Sequence, residues 1–307
     1  MFPLVLLFLK SLLLSFSVKV VRYLGKGVSP RALEVIDICK KGSYLVSNNE
    51  IKFADKMFEC MKGTFYVPAS KTYVAPTQFS GLKTFENSIK IELTGEKTVD
   101  TIMRLKDVEN VGVLNFASAR RAGGGFMTGA QAQEESLCLC SGLYSCLTTE
   151  EGRKYYAEND KEHFACYTDA MIYSSKVPFF KNTKNENVDY VCVDVLTCPA
   201  INRGVLMGTV NTAKNIDVYD AKMRNRMLKC LCLFREQGCK TLILGAFGCG
   251  VFGNHPAEIS KVWYDLLSTY DFGFEYIVFA VYDRPPNMSC FNHFSTIWGK
   301  YSVKGLC

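Results

Sequence analysis

A short apolar run, Val111–Phe116, leads into a glycine-rich turn and constrains the fold more than any other stretch of the chain. Such a run, bounded by turn residues, is typical of a strand buried on both faces of a sheet. The turn contains the triplet Gly123–Gly125, and a helical pattern that opens with Glu134 and Glu135 follows it. A strand, a glycine turn and a helix in this order predict one unit of a parallel α/β sheet.

Strand and helix patterns alternate along the rest of the chain. The 3.6-residue periodicity predicts helices at Arg31–Lys41, Lys52–Met61, Thr98–Leu105, Glu150–Lys161, Asn215–Gln237, Pro256–Leu267 and Phe291–Trp298. Extended, β-branched or alternating runs predict strands at Thr64–Val67, Ile89–Leu93, Ala170–Tyr173, Asp189–Leu196, Thr241–Phe247 and Tyr276–Val281. This alternation predicts a single α/β domain with a largely parallel sheet.

Composition and charge fit an ordinary globular protein and give no strong nucleic-acid signal. Hydrophobic residues make up 48% and charged residues 21% of the 307-residue chain. The net charge is +6, but Lys10, Lys19, Arg22 and Lys26 lie in the first thirty residues, which contain no acid, and removing these four from +6 leaves +2. Because no Lys/Arg cluster is interleaved with aromatic residues, a mixed-charge solvated surface is favoured over a nucleic-acid groove.

The fourteen cysteines favour buried, reduced thiols over disulfides or a zinc site. Most of them lie inside apolar runs, as Cys239 does, and a chain of this length does not need a disulfide framework. The close pairs, Cys138/Cys140 and Cys230/Cys232, have C-x-C spacing, and only three histidines are available to complete a metal site. The sequence therefore predicts no metal site and a reducing compartment, the cytoplasm.

Residues 1–18 are apolar enough for a signal peptide or a membrane anchor. Lys10 interrupts the run, and neither a preceding basic residue nor a small-residue cleavage site is evident, so a secretory signal is not favoured. Basic residues follow the run, which places the main domain in the cytosol if the segment is an anchor. A mis-assigned start and a loosely packed extra helix are equal alternatives. We therefore divide the chain into a hydrophobic segment, 1–28, and a domain, 29–307.

A second glycine-rich loop, Gly245–Asn254, follows the strand predicted at Thr241–Phe247. In a parallel sheet, ligands bind beyond the carboxyl ends of the strands, where glycines allow the backbone to approach and to direct N–H groups at an anion. Two such loops facing each other suit a diphosphate, although glycines also serve plain turns.

The carboxylate pair, Glu134 and Glu135, has two interpretations. Acidic residues in the first turn of a helix commonly complement the helix dipole. Alternatively, such a pair performs glycoside cleavage, in which a carboxyl group protonates the leaving oxygen or activates water. Spacing alone favours the first interpretation.

Several motifs together resemble those of the microbial-type poly(ADP-ribose) glycohydrolases, which are macrodomain enzymes that remove ADP-ribose. The motifs are N-F-A-S-A at Asn115–Ala119, the G-G-G triplet, Q-E-E-S at Gln133–Ser136, S-G-L-Y at Ser141–Tyr144, T-D-A-M-I-Y at Thr168–Tyr173, Val177-Pro178 and G-V-F-G-N at Gly250–Asn254. The resemblance extends from Arg31 to Trp298. It implies a macrodomain-like three-layer α/β/α fold with a mixed, largely parallel sheet and an N-terminal helical extension.

The resemblance also implies roles for individual residues. Glu135 would be the catalytic acid at the ribosyl bond, Glu134 would hold the distal ribose hydroxyls, and Asn115 would help orient that ribose. The residues of 248–253 would wrap the diphosphate, with Phe252 packing against the terminal ribose and favouring cleavage from chain ends. The site residues so implied are Asn115, Gly123, Gly124, Gly125, Gln133, Glu134, Glu135, Gly248, Gly250, Val251, Phe252, Gly253 and Asn254.

The surroundings of this site carry further expectations. The chemistry requires a protonated carboxyl group, so we expect Glu135 to be desolvated, with Glu134 nearby favouring its protonated form. Phe116, Phe126 and Phe252 are candidates for a dry wall. One variant of the family has Asn-Pro just before the triplet, where this chain has Arg121-Ala122. Arg120 and Arg121 are expected to add positive charge near the phosphate-binding turn.

The resemblance implies an enzyme that hydrolyses ribosyl O-glycosidic bonds of poly(ADP-ribose), needs no metal cofactor and acts as a monomer on modified proteins. The alternatives are a non-catalytic ADP-ribose-binding macrodomain and a hydrolase for mono-ADP-ribose on protein or nucleic acid. The carboxylate pair, Glu134 and Glu135, favours an enzyme, because binding of a diphosphate gains little from two adjacent acids. A membrane-tethered structural protein is a third interpretation that rests on residues 1–18 alone.

Overall fold

The computed structural model describes residues 27–81, 83–162, 165–208, 216–284 and 286–304. The predictions for residues 1–26 lie outside the described residues. The helices are α1 (Pro30–Lys41), α2 (Ala54–Lys62), α3 (Phe85–Ser88), α4 (Thr98–Arg104), α5 (Gln133–Cys140), α6 (Leu143–Leu147), α7 (Glu150–Asp160), α8 (Arg203–Met207), α9 (Ile216–Glu236), α10 (Pro256–Thr269) and α11 (Ser289–Trp298). The strands are β1 (Ser43–Val46), β2 (Asn49–Lys52), β3 (Thr64–Val67), β4 (Lys90–Thr94), β5 (Val111–Phe116), β6 (Met171–Lys181), β7 (Asn187–Cys198), β8 (Thr241–Leu244), β9 (Tyr276–Ala280) and β10 (Ser302–Lys304).

One eight-stranded mixed sheet organises the domain, with the strand order β10-β4-β9-β8-β5-β7-β6-β3. Neighbouring strands are parallel from β10 through β7. The β7–β6 and β6–β3 pairs are antiparallel. The predicted mixed, largely parallel sheet is confirmed, and β5 lies at its centre between β7 and β8.

Helices cover both faces of this sheet and enclose two hydrophobic cores. Successive residues of β5 point to opposite faces, so Val113 joins the core under α1, α2, α4, α5 and α6, whereas Leu114 joins the core under α9, α10 and α11. The second core is rich in large side chains, including the fully buried Trp263 and Trp298. Burying one large apolar side chain contributes roughly 1.5–3 kcal/mol. The predicted three-layer α/β/α architecture with an N-terminal helix, α1, is confirmed.

Two predicted strands differ from the structure in where they end. The strand predicted at Thr241–Phe247 ends at Leu244, because the chain turns at Gly245, where a Cβ would lie 2.6 Å from the Ala280 carbonyl oxygen. The strand predicted at Ala170–Tyr173 continues to Lys181 through a bulge. Residues 182–186 form the turn that connects β6 to β7.

Two observations on the described chain bear on membranes and metals. Within the described ranges, no helix combines the length and the apolar character needed to cross a membrane. The same residues contain no group of three or more His, Cys, Asp or Glu side chains arranged to hold a metal ion.

Candidate active site

The two glycine-rich loops meet at the carboxyl edge of the central strands. β5 and β8 are parallel neighbours, so the loops that follow them leave the sheet side by side. The rings of Phe116, at the end of β5, and Phe247, just after β8, have centroids 5.6 Å apart. The predicted juxtaposition of the two loops is therefore present in the structure.

Gln133, the first residue of α5, ties that helix to the end of β5. Its Oε1 accepts the N–H of Phe116 at 2.9 Å, and its Nε2 donates to the carbonyl of Leu114 at 2.8 Å. This one amide side chain therefore forms hydrogen bonds with two backbone groups of β5, at the end of the strand where bonds to neighbouring strands stop. These two hydrogen bonds set the distance between β5 and the two carboxylates that follow Gln133 in sequence.

Glu134 is buried against the loop that leaves β5. Its side chain is only 3% exposed, and its Oε2 accepts the N–H of Ser118 at 2.7 Å. Its Oε1 accepts a long hydrogen bond, 3.5 Å, from Asn115 Nδ2. Burial raises the pKa of Glu134 from 4.5 to about 8, although the Ser118 N–H lowers it, and the charge of Glu135 raises the pKa further. Burial therefore favours the protonated form of Glu134.

Glu135 is also buried, with both carboxyl oxygens held by backbone donors. Oε1 accepts the N–H of Gly125 at 2.7 Å, and Oε2 accepts the N–H of Ala132 at 3.0 Å. The Ala132 bond belongs to the N-terminal end of α5, where backbone N–H groups lack helical partners. The two bonds fix the plane of the carboxyl group between the glycine turn and the helix. The desolvation expected for Glu135 is thus observed at 7% exposure.

Gly124 lies in contact with both carboxyl groups. A Cβ at this position would lie 2.4 Å from Glu135 Oε1 and 3.0 Å from Glu134 Oε2, and the φ of +57° is in the left-handed region. Only glycine meets both requirements. The triplet therefore brings the backbone of the turn directly onto the acids, as the sequence predicts.

Asn115 projects into the same buried space from the end of β5. Its Nδ2 donates to Thr197 Oγ1 at 3.1 Å as well as to Glu134. Among the described residues its Oδ1 has no hydrogen-bond partner, although the side chain is fully buried. A buried acceptor without a partner is costly, so this oxygen calls for a partner that the described part of the chain does not supply. Thr197, which the sequence analysis does not single out, lies opposite Asn115 in the register of β5 and β7.

The second loop is braced from within by Asn254. Its Nδ2 donates to the carbonyls of Ile201 at 2.8 Å and Gly248 at 3.1 Å. Gly248 has a φ of +74°, and a Cβ there would lie 2.4 Å from Ala200 Cβ. The loop is therefore packed tightly on its inner side.

The outer side of this loop is open. Val251 is 89% exposed, and a Cβ on Gly250 would meet no atom within 4 Å. Gly253 has a φ of +66°, and between them Phe252 is half-buried, with its ring 5.9 Å from that of Tyr167. The predicted binding residues of this loop thus divide into an inner brace, Gly248 and Asn254, and an outer rim.

Two expectations about the surroundings need correction. Phe126 is fully buried and packs on Tyr144 beneath the turn, with ring centroids 4.7 Å apart, so it supports the turn and does not line the cleft. The guanidinium of Arg120 donates to the carbonyls of Asn159 and Glu162 at the end of α7. These backbone carbonyls therefore bind the guanidinium of Arg120, which the sequence predicts only as added positive charge near the phosphates.

Ser118 and Tyr167 are site residues that the sequence analysis misses. Ser118 lies inside the N-F-A-S-A motif, and that motif is the signal from which its backbone bond to Glu134 could have been inferred. Tyr167 precedes the T-D-A-M-I-Y motif and contacts Phe252 only through tertiary packing. No local pattern indicates that contact.

The fold and the site define a macrodomain-like α/β/α protein in which a glycine turn packs on a buried carboxylate pair, with a second glycine-rich loop following the neighbouring strand. The family model for the microbial-type PARG catalytic domain matches residues 32–182. Together with the solved structures described next, which reach 33% identity over 97% of the related chain, this match shows that the chain belongs to the microbial-type poly(ADP-ribose) glycohydrolase family.

Solved structures agree with this assignment. The poly(ADP-ribose) glycohydrolase of Thermomonospora curvata bound to the inhibitor ADP-HPD superposes with a TM-score of 0.77 and 33% identity, over 87% of this chain and 97% of that chain. The Deinococcus radiodurans enzyme in complex with ADP-ribose gives a TM-score of 0.70 and 31% identity, over 82% of this chain and 98% of that chain. A search of curated proteins found no match.

Proposed function

We propose that this protein hydrolyses the ribosyl O-glycosidic bonds of poly(ADP-ribose), with Glu135 as the catalytic acid and without a metal cofactor. The observation that carries the proposal is the carboxylate pair, Glu134 and Glu135, packed around Gly124 at the carboxyl edge of the sheet. An anion-binding loop needs no such acids, whereas glycoside cleavage does. ADP-ribose, which the Deinococcus radiodurans enzyme holds, supplies both the diphosphate and the ribosyl group.

The diphosphate would lie between the turn at 123–125 and the loop at 248–253. Glycine backbones approach phosphates closely, and the N–H groups of such turns offset two negative charges without a cation. The distal ribose would then lie over Asn115 and Glu134. The unpaired Oδ1 of Asn115 is an acceptor suited to a ribose hydroxyl.

Protonation of the carboxyl pair sets the chemistry. Burial is the main cause that raises the pKa of Glu134 to about 8, so its protonated form is favoured near neutral pH. Each oxygen of Glu135 accepts one backbone N–H, which leaves a second lone-pair direction on each oxygen. When Glu135 is in its acid form, its proton can occupy one of these directions.

The bond-breaking step follows from these positions. Glu135 donates its proton to the leaving ribosyl oxygen, the C–O bond of the distal ribose breaks, and water adds to the oxocarbenium-like carbon. The water transfers a proton back to Glu135, which restores the acid. Glu134, in its protonated form, donates or accepts hydrogen bonds to the ribose hydroxyls without adding a second negative charge.

The test is release of free ADP-ribose from poly(ADP-ribose) by the full chain, with Glu135→Gln and Glu134→Gln beside it. We expect the parent to release ADP-ribose and Glu135→Gln to lose at least about a hundredfold in rate, as expected when a general acid is removed. Equal turnover by parent and Glu135→Gln would exclude this mechanism. ADP-ribose binding by a parent that leaves the polymer intact would instead identify a reader, or a hydrolase for mono-ADP-ribose linkages.

We further propose that residues 29–307 form the monomeric glycohydrolase domain and that residues 1–18 tether it to a membrane from the cytoplasmic side. The apolar run with basic residues after it supports this arrangement. Fractionation of the full chain without detergent, with a chain starting at Gly27 as control, tests it. Recovery of the full chain in the soluble fraction would exclude the tether.

A further inference from the structure

Tyr167 holds a backbone conformation that its side chain disfavours. Its φ of +54° lies in the left-handed region, where residues other than glycine, asparagine and aspartate are rare. Such residues persist only where the surrounding structure determines their conformation, and they cluster at functional sites.

Buried polar groups impose this conformation on the loop that carries Tyr167. Arg226, which is fully buried in α9, donates to the carbonyls of Cys166 at 2.8 Å and Tyr167 at 3.3 Å. The next residue, Thr168, donates from its backbone N and its Oγ1 to Asn159 Oδ1 at 2.9 and 3.0 Å. Arg226 also binds Asp169 Oδ1 at 2.7 Å. Three consecutive positions, 167–169, are therefore fixed.

The ring of Tyr167 joins the two glycine loops. Its centroid lies 5.9 Å from that of Phe252 on the second loop, with an angle of 42° between the rings. The guanidinium carbon of Arg120, on the loop after β5, lies 5.6 Å from the same ring. Arg120 is itself held by the carbonyls at the end of α7. Tyr167 is thus held by hydrogen bonds from α9 and contacts the second glycine loop through Phe252.

Phe252 packs on Tyr167 and on the hydrophobic core under α9, α10 and α11. It lies between the glycines at 250 and 253, beside the exposed Val251, and its own carbonyl accepts a bond from Gly204 N at 3.0 Å. The backbone bond anchors the main chain and leaves the direction of the ring to its packing partners.

We propose that Tyr167 is a positioning residue that fixes the Phe252 ring over the distal ribose, and that its strained backbone is retained for this purpose. The inference rests on the proposed function, because Phe252 contacts the ribose only if ADP-ribose binds between the two loops. Tyr167 would then govern affinity for the ribosyl group, and the protonation of the carboxyl pair would be independent of it.

The experiment compares Tyr167→Phe, Tyr167→Ala and Tyr167→Gly in the full chain, with calorimetric binding of ADP-ribose and steady-state hydrolysis of poly(ADP-ribose). Tyr167→Gly removes the ring and relieves the left-handed strain, and its melting temperature, measured beside binding, separates a loss of folding from a loss of affinity. We expect its KM and the Kd for ADP-ribose to rise roughly tenfold, the upper range for one aromatic pair. The kcat should change by less than about threefold and the pH profile should be unchanged. Tyr167→Phe retains the ring and should behave as the parent.

A double-mutant cycle with Phe252→Ala separates positioning from direct contact. If Tyr167 acts through Phe252, Tyr167→Ala has no further effect on ADP-ribose affinity in the Phe252→Ala background. Additive losses, or an unchanged Kd in Tyr167→Gly, would overturn the proposal. If the parent binds ADP-ribose but does not cleave the polymer, the proposed hydrolase is rejected. The double-mutant cycle, which measures ADP-ribose affinity, then still decides the role of Tyr167. A parent that neither binds nor cleaves rejects both.

Discussion

Gly124 and Glu135 are packed so closely that a Cβ on the glycine would lie 2.4 Å from the carboxyl oxygen Oε1. The oxygen cannot move away freely, because the N–H of Gly125 binds it at 2.7 Å. The glycine turn and the acid therefore form one unit, in which the backbone conformation of the turn sets the position of the carboxyl group.

Gly124→Ala should consequently abolish hydrolysis while costing moderate stability. The left-handed φ alone costs about 1–2 kcal/mol for a residue with a Cβ, and the contact with Glu135 displaces the carboxyl group, so we expect a rate loss of about a hundredfold or more. The measurement is polymer hydrolysis together with urea unfolding. Gly208→Ala is the matched control, because its Cβ would meet no atom closer than 3.5 Å, and it should change neither quantity.

The raised pKa of Glu134 predicts a dependence of stability on pH. The folded protein keeps the Glu134 proton up to about pH 8, whereas the unfolded chain releases it near pH 4.5. The folded state therefore binds more protons between these values, and stability falls as pH rises from 4.5 to 8. The full effect is bounded by about 5 kcal/mol.

Glu134→Gln should remove this dependence, since the amide has no proton to release. Chemical denaturation of parent and variant at pH 5 and pH 8.5 gives the measurement. We expect the stability of the variant relative to the parent to increase over that interval. A constant difference between the two proteins at both pH values would contradict a buried, protonated Glu134.

Much of the fold follows from local sequence pattern. The limits of β5, Val111–Phe116, are those predicted, because an apolar run between turn residues has one plausible structure at the centre of a sheet. The helix α1 ends before Gly42, whose φ of +67° makes it a left-handed cap. The β1–β2 hairpin was missed, since its turn uses Ser47 and Asn48 at positive φ, without the glycine that usually marks such a turn.

The site was predictable to the extent that motifs encode it. The carboxylate pair and the glycine turn are contiguous in sequence, and the structure brings them together as expected. The direction of Arg120 was not predictable, because it depends on carbonyls at the end of α7. The hydrogen bonds from Gln133 to β5 were not predictable either, because they depend on where the helix approaches the strand. Tertiary hydrogen bonds of this kind leave no trace in local spacing.

The distribution of thiols predicts slow and incomplete chemical modification of the folded protein. Among the described residues, ten free cysteines are buried, and only Cys192, Cys249 and Cys290 are partly exposed. Thiols react as thiolates at accessible sites, and burial raises the pKa of the Cys39 thiol to about 12. Titration with an aromatic disulfide reagent should label these three positions first, and denaturant should release the rest. Rapid labelling of Cys39 in the folded chain, mapped by mass spectrometry, would contradict the packing.

Arg226 is expected to be the most costly charged residue to replace. Its guanidinium is fully buried and binds Asp169 at 2.7 Å and the carbonyls of Pro199 at 2.9 Å and Cys166 at 2.8 Å. Arg226→Met preserves much of the side-chain volume but leaves the carboxylate and both carbonyls without their donor. Removing one partner of a buried ion pair typically costs about 3–5 kcal/mol, so we expect a loss of stability in this range.

The control for this loss is Lys261→Met, which removes a charge from an exposed pair with Asp265 at 2.6 Å. Exposed pairs of this type contribute about 0–1 kcal/mol, because solvent screens the attraction. Urea unfolding of the two variants should therefore separate them by several kcal/mol. Because Arg226 also holds the carbonyl of Tyr167, its replacement should weaken ADP-ribose binding in molecules that remain folded, whereas Lys261→Met should bind as the parent does. Equal losses of stability in both variants would mean that the loop at 166–169 is held by packing alone.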